Sequence, residues 1–138
     1  MRVPSARLPV PSTHPPERLL RVLVAGSRTW DDGASIEQVL SSLPRGSTVI
    51  HGAARGADQL AGTIAARLGF GVQEYPADWR GKGRAAGIIR NLQMLDTGPD
   101  KVIAFWDGKS TGTGHTIDEA QKRGIPVEVI GEHQGEGP

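Results

Sequence analysis

Five short apolar runs, each followed within two residues by a glycine or proline, alternate along this chain with stretches whose apolar residues recur at helical spacing. That alternation constrains the fold most, because strands that are apolar on both faces need helices on both sides. The runs are residues 21–25, stopped by Gly26; 48–51, stopped by Gly52; 71–75, ended by Pro76; 101–106; and 126–130. The first helical stripe is Ile36, Val39, Leu40 and Leu43, with Asp31 or Asp32 as its N-cap. The second is Leu60, Ala61, Ile64, Ala65 and Leu68, closed by Gly69. Ile88, Ile89, Leu92 and Leu95 make the third. Ile117, Ala120 and Gln121 lie on the fourth, ended by Gly124. Five strands separated by four helices predict right-handed βαβ units and an α/β, doubly wound parallel sheet in the order 3-2-1-4-5, with helices on both faces.

The 138 residues fit one domain that buries a core without staples. Residues 1–19 carry Pro4, Pro9, Pro11, Pro15 and Pro16 and few apolar groups, so they read as a disordered leader. Residues 20–131 read as the single domain, and 132–138 as a flexible tail. The absence of cysteine excludes disulfides, zinc ribbons and a thiol nucleophile. Sixteen Lys and Arg stand against 15 Asp and Glu, so no global basic field recruits nucleic acid. No apolar run approaches the ~20 residues of a membrane span, and no secretory h-region is present. The cytoplasm is therefore the default expectation. The oligomeric state, a homo-oligomer included, is left open.

Glycine is the informative excess: 19 residues, about twice the usual ~7% share, gathered where the strands end. A doubly wound sheet binds ligands outside the carboxyl ends of its strands, at the point where the strand order reverses. Here that point falls between strands 1 and 4. Gly26-Ser27-Arg28-Thr29 follows strand 1. Asp107-Gly108-Lys109-Ser110-Thr111-Gly112-Thr113-Gly114 follows strand 4. Gly52-Ala53-Ala54-Arg55-Gly56-Ala57-Asp58 follows strand 2, next door. Glycines admit close backbone approach, and helix N-termini attract phosphate. Ser27, Ser110, Thr111 and Thr113 add hydroxyls, while Arg28 and Arg55 add charge and bidentate geometry. The loops match neither Gly-x-Gly-x-x-Gly nor a P-loop, since Ile103 stands where the P-loop's first glycine belongs.

Residues 78–87 form a basic, glycine-rich segment read as a loop or flap, with Trp79 offering a stacking face for a base. Arg90 and Asn91, on the following helix, are placed to reach a phosphate or ribose. His51 ends a strand, where it either polarises a ligand or packs. Neither it nor His115 has metal-ligand spacing, so no metal is expected. Asp58 and Asp118 sit in first turns of helices, where a carboxylate commonly serves the dipole; Asp58 is also placed to meet a ligand hydroxyl. Trp106 is core or cavity wall.

Four blocks together resemble the SLOG superfamily, most closely its YspA-related branch. They are Val24-Ala25-Gly26-Ser27-Arg28-Thr29-Trp30, His51-Gly52-Ala53-Ala54-Arg55-Gly56-Ala57-Asp58, Ala77-Asp78-Trp79-Arg80 through Ala86-Gly87-Ile88-Ile89-Arg90-Asn91, and Ala104-Phe105-Trp106-Asp107-Gly108-Lys109-Ser110-Thr111-Gly112-Thr113. The resemblance spans about residues 21–130. It extends more distantly to the DNA-processing protein DprA and the Lonely Guy phosphoribohydrolases. It implies a Rossmann-like fold that binds a nucleotide or nucleotide derivative, with Gly26, Ser27, Arg28, Gly112 and Thr113 as contacts. The Lonely Guy loop is Pro-Gly-Gly-x-Gly-Thr, with a catalytic glutamate three residues on. Here the Pro-Gly-Gly start is missing and Thr116 holds the glutamate's place, while Glu119 lies six residues past Thr113.

The expected function is a sensor or carrier module for a nucleotide-derived small molecule, with no other cofactor. One alternative is a phosphoribohydrolase cleaving an N-glycosidic bond, for which Asp58 and Asp118 are the candidate carboxylates. The other is a DprA-like binder of single-stranded DNA, disfavoured by the balanced charge.

Overall fold

The computed structural model describes residues 18–131; the expected tail, 132–138, and most of the expected leader, 1–17, lie outside them. Five strands, β1 (Arg21–Gly26), β2 (Thr48–His51), β3 (Gly71–Glu74), β4 (Lys101–Trp106) and β5 (Val127–Gly131), alternate with helices. They pair in parallel as β3-β2-β1-β4-β5, the order expected of a doubly wound sheet. The register sets Val22 beside Val49 on one side and Lys101 on the other, and Ala25 beside Ala104.

The central strands are apolar on both faces because both faces are covered. Val22 and Val24 of β1 point to one side, where Ile36 and Leu40 of α1 (Gly33–Leu40) and Ile64 of α2 (Ala57–Arg67) pack with Trp30 and Phe105. Leu23 and Ala25 point to the other, against Met94 and Leu95 of α4 (Ala86–Asp96) and Ala120 of α5 (Thr111–Lys122). Trp30 and Phe105 meet at 5.5 Å between ring centroids, tilted by 59°. The edge strands depart from the expectation: β3 and β5 are largely exposed, and Val129 keeps 48% of its surface in solvent. Gln73, Glu74 and Glu128 mark these edges in the sequence, and a charged or polar edge resists pairing with another sheet.

Among the described residues five α-helices form rather than four. The segment read as a flap contains α3 (Trp79–Lys82), followed by a 3-10 turn over Gly83–Ala85 that runs into α4. Asp78 caps it, its Oδ1 accepting the Gly81 N–H at 2.9 Å. No apolar periodicity announces so short a helix. Asp32 caps α1 as expected, accepting from Ser35 N–H at 3.1 Å. Among the described residues no helix is long and apolar enough to cross a membrane.

Candidate functional site

A cavity of about 460 Å³ opens at the sheet's reversal point, between the ends of β1 and β4. Gly26, Arg28 and Thr29 supply one wall, and Trp79 with Gly87 and Ile88 a second. The floor comes from Arg90, Asn91 and Met94 of α4, and the far wall from Asp107 and the first turns of α5. The volume lies within the ~300–1,000 Å³ of ordinary small-molecule sites.

Ser27 builds this cavity without lining it. Its N–H donates to Phe105 O at 2.9 Å, and its Oγ accepts the Asp107 N–H at 2.9 Å. Its carbonyl takes the N–H groups of Trp30 and Ala57. With 1% of its surface exposed, the side chain expected to meet a ligand is bonded within the protein instead of lining the cavity. Gly26 and Gly56 are also structural. A Cβ on Gly26 would overlap the Ala57 methyl and lie 2.7 Å from Phe105 O. Gly56 turns at φ +77 directly under the Ser27 and Arg28 carbonyls.

Asp107 shapes the opposite wall. Its Oδ1 accepts the N–H groups of Lys109 and Ser110, both at 2.8 Å, and Oδ2 accepts the Ser110 hydroxyl. The bonds from Lys109 and Ser110 hold its carboxyl down at about 2, so it stays ionised. The N–H groups of Thr111, Gly112 and Thr113 find no partner among the described residues. The positive end of α5 therefore faces the cavity with three free donors. The start of α2 differs: Ala57 N–H goes to Ser27 O, Gln59 N–H to Ala54 O, and Asp58 adds a negative charge. Of these two helix starts, only that of α5 is open.

Asp58 and Arg90 grip Gly52 from two sides. Asp58 Oδ2 accepts the Gly52 N–H at 2.9 Å, and Arg90 Nη1 donates to Gly52 O. Arg90 Nε donates to Asn91 Oδ1 at 2.9 Å, and Asn91 Nδ2 to Gly112 O at 3.3 Å, which ties α4 to the first turn of α5. Burial pushes the Asp58 carboxyl up to about 6, against the pull of the Gly52 bond and of Arg90. Burial also lowers Arg90, which has no carboxylate within 4 Å among the described residues. At the mouth, Arg28 lies over Trp79, 5.9 Å from guanidinium carbon to ring centroid, and both are exposed.

The structure thus gathers Gly26, Arg28, Asp58, Trp79, Arg90, Asn91, Ser110, Thr111, Gly112 and Thr113 around one cavity. Gly52 and Arg55 line a smaller hollow beside it. Asp118, expected in a first helical turn, is the eighth residue of α5; it is exposed and lines neither hollow. His51 packs: its Nδ1 accepts the Ala53 N–H at 2.9 Å, and its Nε2 faces Glu74 at 3.7 Å, away from the cavity. Thr116 lines the cavity and donates to Gly112 O at 3.2 Å. Asp107 is a cavity carboxylate beyond those expected; its signal in the sequence is Asp-Gly-x-Ser before a helix, a carboxylate bonding backbone N–H groups two and three residues on. Among the described residues no three His, Asp or Glu side chains group as metal ligands.

Residues 20–81 match the family described as "YspA, cpYpsA-related SLOG family". The chain is 42% identical over 121 residues to the Gene 61 protein of Mycobacterium phage D29, covering 81% of this chain and 97% of that protein. DNA processing protein A (DprA) from Streptococcus pneumoniae superposes with a TM-score of 0.71 at 19% identity, over 86% of this chain and 52% of the other. This chain thus shares the Rossmann-like fold and spans about half the length of that protein.

Proposed function

The chain belongs to the YspA, cpYpsA-related SLOG family, and from that premise we propose that it binds a nucleotide or nucleotide-derived molecule in the cavity between β1 and β4, as a sensor or carrier. The observation that carries this reading is the open start of α5. Three free N–H donors and a helix dipole meet the guanidinium groups of Arg28 and Arg90 around one hollow. A phosphate fits at Thr111–Thr113, a base stacks on the exposed face of Trp79, and a sugar hydroxyl meets Asp58.

Binding is favoured over N-glycosidic hydrolysis. Thr116 occupies the position of the related hydrolases' glutamate, and both cavity carboxylates, Asp58 and Asp107, are already engaged by backbone N–H groups. Release of free base from nucleoside monophosphates, lost in Asp58→Asn, would reverse that preference.

A thermal-shift panel of mono-, di- and cyclic nucleotides tests the proposal. A ligand at about 100 times its Kd adds ~2.7 kcal/mol and raises the midpoint by several degrees. Arg28→Ala, at an exposed position, should weaken that ligand about tenfold and leave the unliganded midpoint in place. No shift with any nucleotide counts against the reading. Single-stranded DNA is a second reading, supported by exposed Arg80 and Lys82 beside Trp79 on α3. It requires affinity that falls steeply with salt.

A further inference from the structure

Arg28, Trp79 and Arg90 line the main cavity with one face and a second hollow, of about 290 Å³, with the other. Arg55, Pro76 and Ala77 help to complete this second chamber. The two chambers differ in charge. The main cavity sets two arginines against two carboxylates, Asp58 and Asp107. The second chamber is lined by three arginines, Arg28, Arg55 and Arg90, and by no carboxylate. Asp58 and Asp78 lie outside its lining, where Asp58 holds the Gly52 N–H and Asp78 caps α3.

None of the three arginines has a carboxylate within 4 Å among the described residues. Arg90 is 9% exposed, and its side-chain partners are neutral: the carbonyls of Gly52 and Tyr75 and the amide oxygen of Asn91. A buried guanidinium hydrogen-bonded to neutral groups gives up hydration, and the charge of Asp58, beyond 4 Å, offsets that loss only in part. Arg28 adds like-charge repulsion to it. An anion set among the three guanidinium groups relieves both effects, and a planar fork of donors suits phosphate oxygens.

We propose that the second chamber is a phosphate subsite, so that the ligand carries two phosphate groups separated by its sugar: one at the start of α5, the other among Arg28, Arg55 and Arg90. The inference rests on the nucleotide reading of the main cavity and extends it to a ligand class, nucleotides with a second phosphate on a separate sugar oxygen. Trp79, in the shared wall, then serves the nucleoside that joins the two groups.

Calorimetric titration of the full chain with 5′-AMP and with adenosine 3′,5′-bisphosphate tests this. The bisphosphate should bind at least about tenfold tighter than 5′-AMP, and Arg55→Ala should bring that ratio close to one. Arg55 is exposed, so the variant keeps its fold. The 5′-phosphorylated diadenylate separates the two sources of a second phosphate. A gain with it marks a phosphodiester, a gain with the bisphosphate alone marks a terminal phosphate, and either supports the subsite. Equal affinities for 5′-AMP and both two-phosphate ligands, unchanged by Arg55→Ala, overturn the second chamber and leave the main cavity standing. Failure of all three to bind overturns the nucleotide reading and this inference with it.

Discussion

The Oγ of Ser27 accepts the backbone N–H of Asp107 at 2.9 Å, joining turns that lie 80 residues apart in the chain. One hydroxyl thereby sets the turn after β1 against the turn that starts α5, and the cavity is the space left between them. Ser27→Ala keeps the volume nearly constant and strands the Asp107 N–H. The variant should fold, lose about 1–2 kcal/mol in urea denaturation, and bind nucleotide more weakly because α5 is no longer fixed. Unchanged stability and affinity would mean that the bond does not position the site.

Gly26→Ala tests how closely the site is packed from behind. The added methyl meets the Ala57 side chain and the Phe105 carbonyl, neither of which has flexible atoms to give way. A loss of about 3 kcal/mol or more is expected, read as a lower denaturant midpoint at constant slope. A loss under about 1 kcal/mol would show that α2 can move off β1.

Asp58 gives the fold a pH dependence of definite sign. Its carboxyl sits at about 6 in the folded protein against the usual 3.8, raised mainly by burial. Because the folded value is the higher, the folded state holds the extra proton between them. This group's stabilisation is complete below about pH 3.8 and is lost as pH rises through 6, by roughly 3 kcal/mol in all. Asp58→Asn keeps an acceptor for Gly52 N–H and removes the titration. The stability of the wild type relative to this variant should therefore fall between pH 4 and pH 7. A difference that stays flat, or rises, contradicts the burial account.

Much of this architecture is legible in the residues themselves. The runs at 21–25 and 101–106 are apolar on both faces, and the structure puts them at the centre of the sheet under two helical layers. Glycines and prolines at the strand ends marked where the cavity would open. What stayed hidden depends on contacts between distant segments. Ser27 reads as a ligand donor until Asp107 is found bonded to it. Asp118 reads like Asp58, as a carboxylate in a first helical turn, yet α5 starts at Thr111, so Asp118 is its eighth residue and faces solvent, while Asp58 is in the first turn of α2 and buried under Gly52. Residues 79–82 form a helix because Asp78 caps them, while Gly81 and Gly83 argue locally for a loop.

Amide chemical shifts followed while 5′-AMP is titrated into the full chain test the central claim most directly. The account predicts saturable shifts largest at the N–H groups of Thr111, Gly112 and Thr113, accompanied by the indole of Trp79 and the side chain of Arg28. Saturable binding that leaves those amides unmoved, or shifts confined to the β3 or β5 edge, would contradict it.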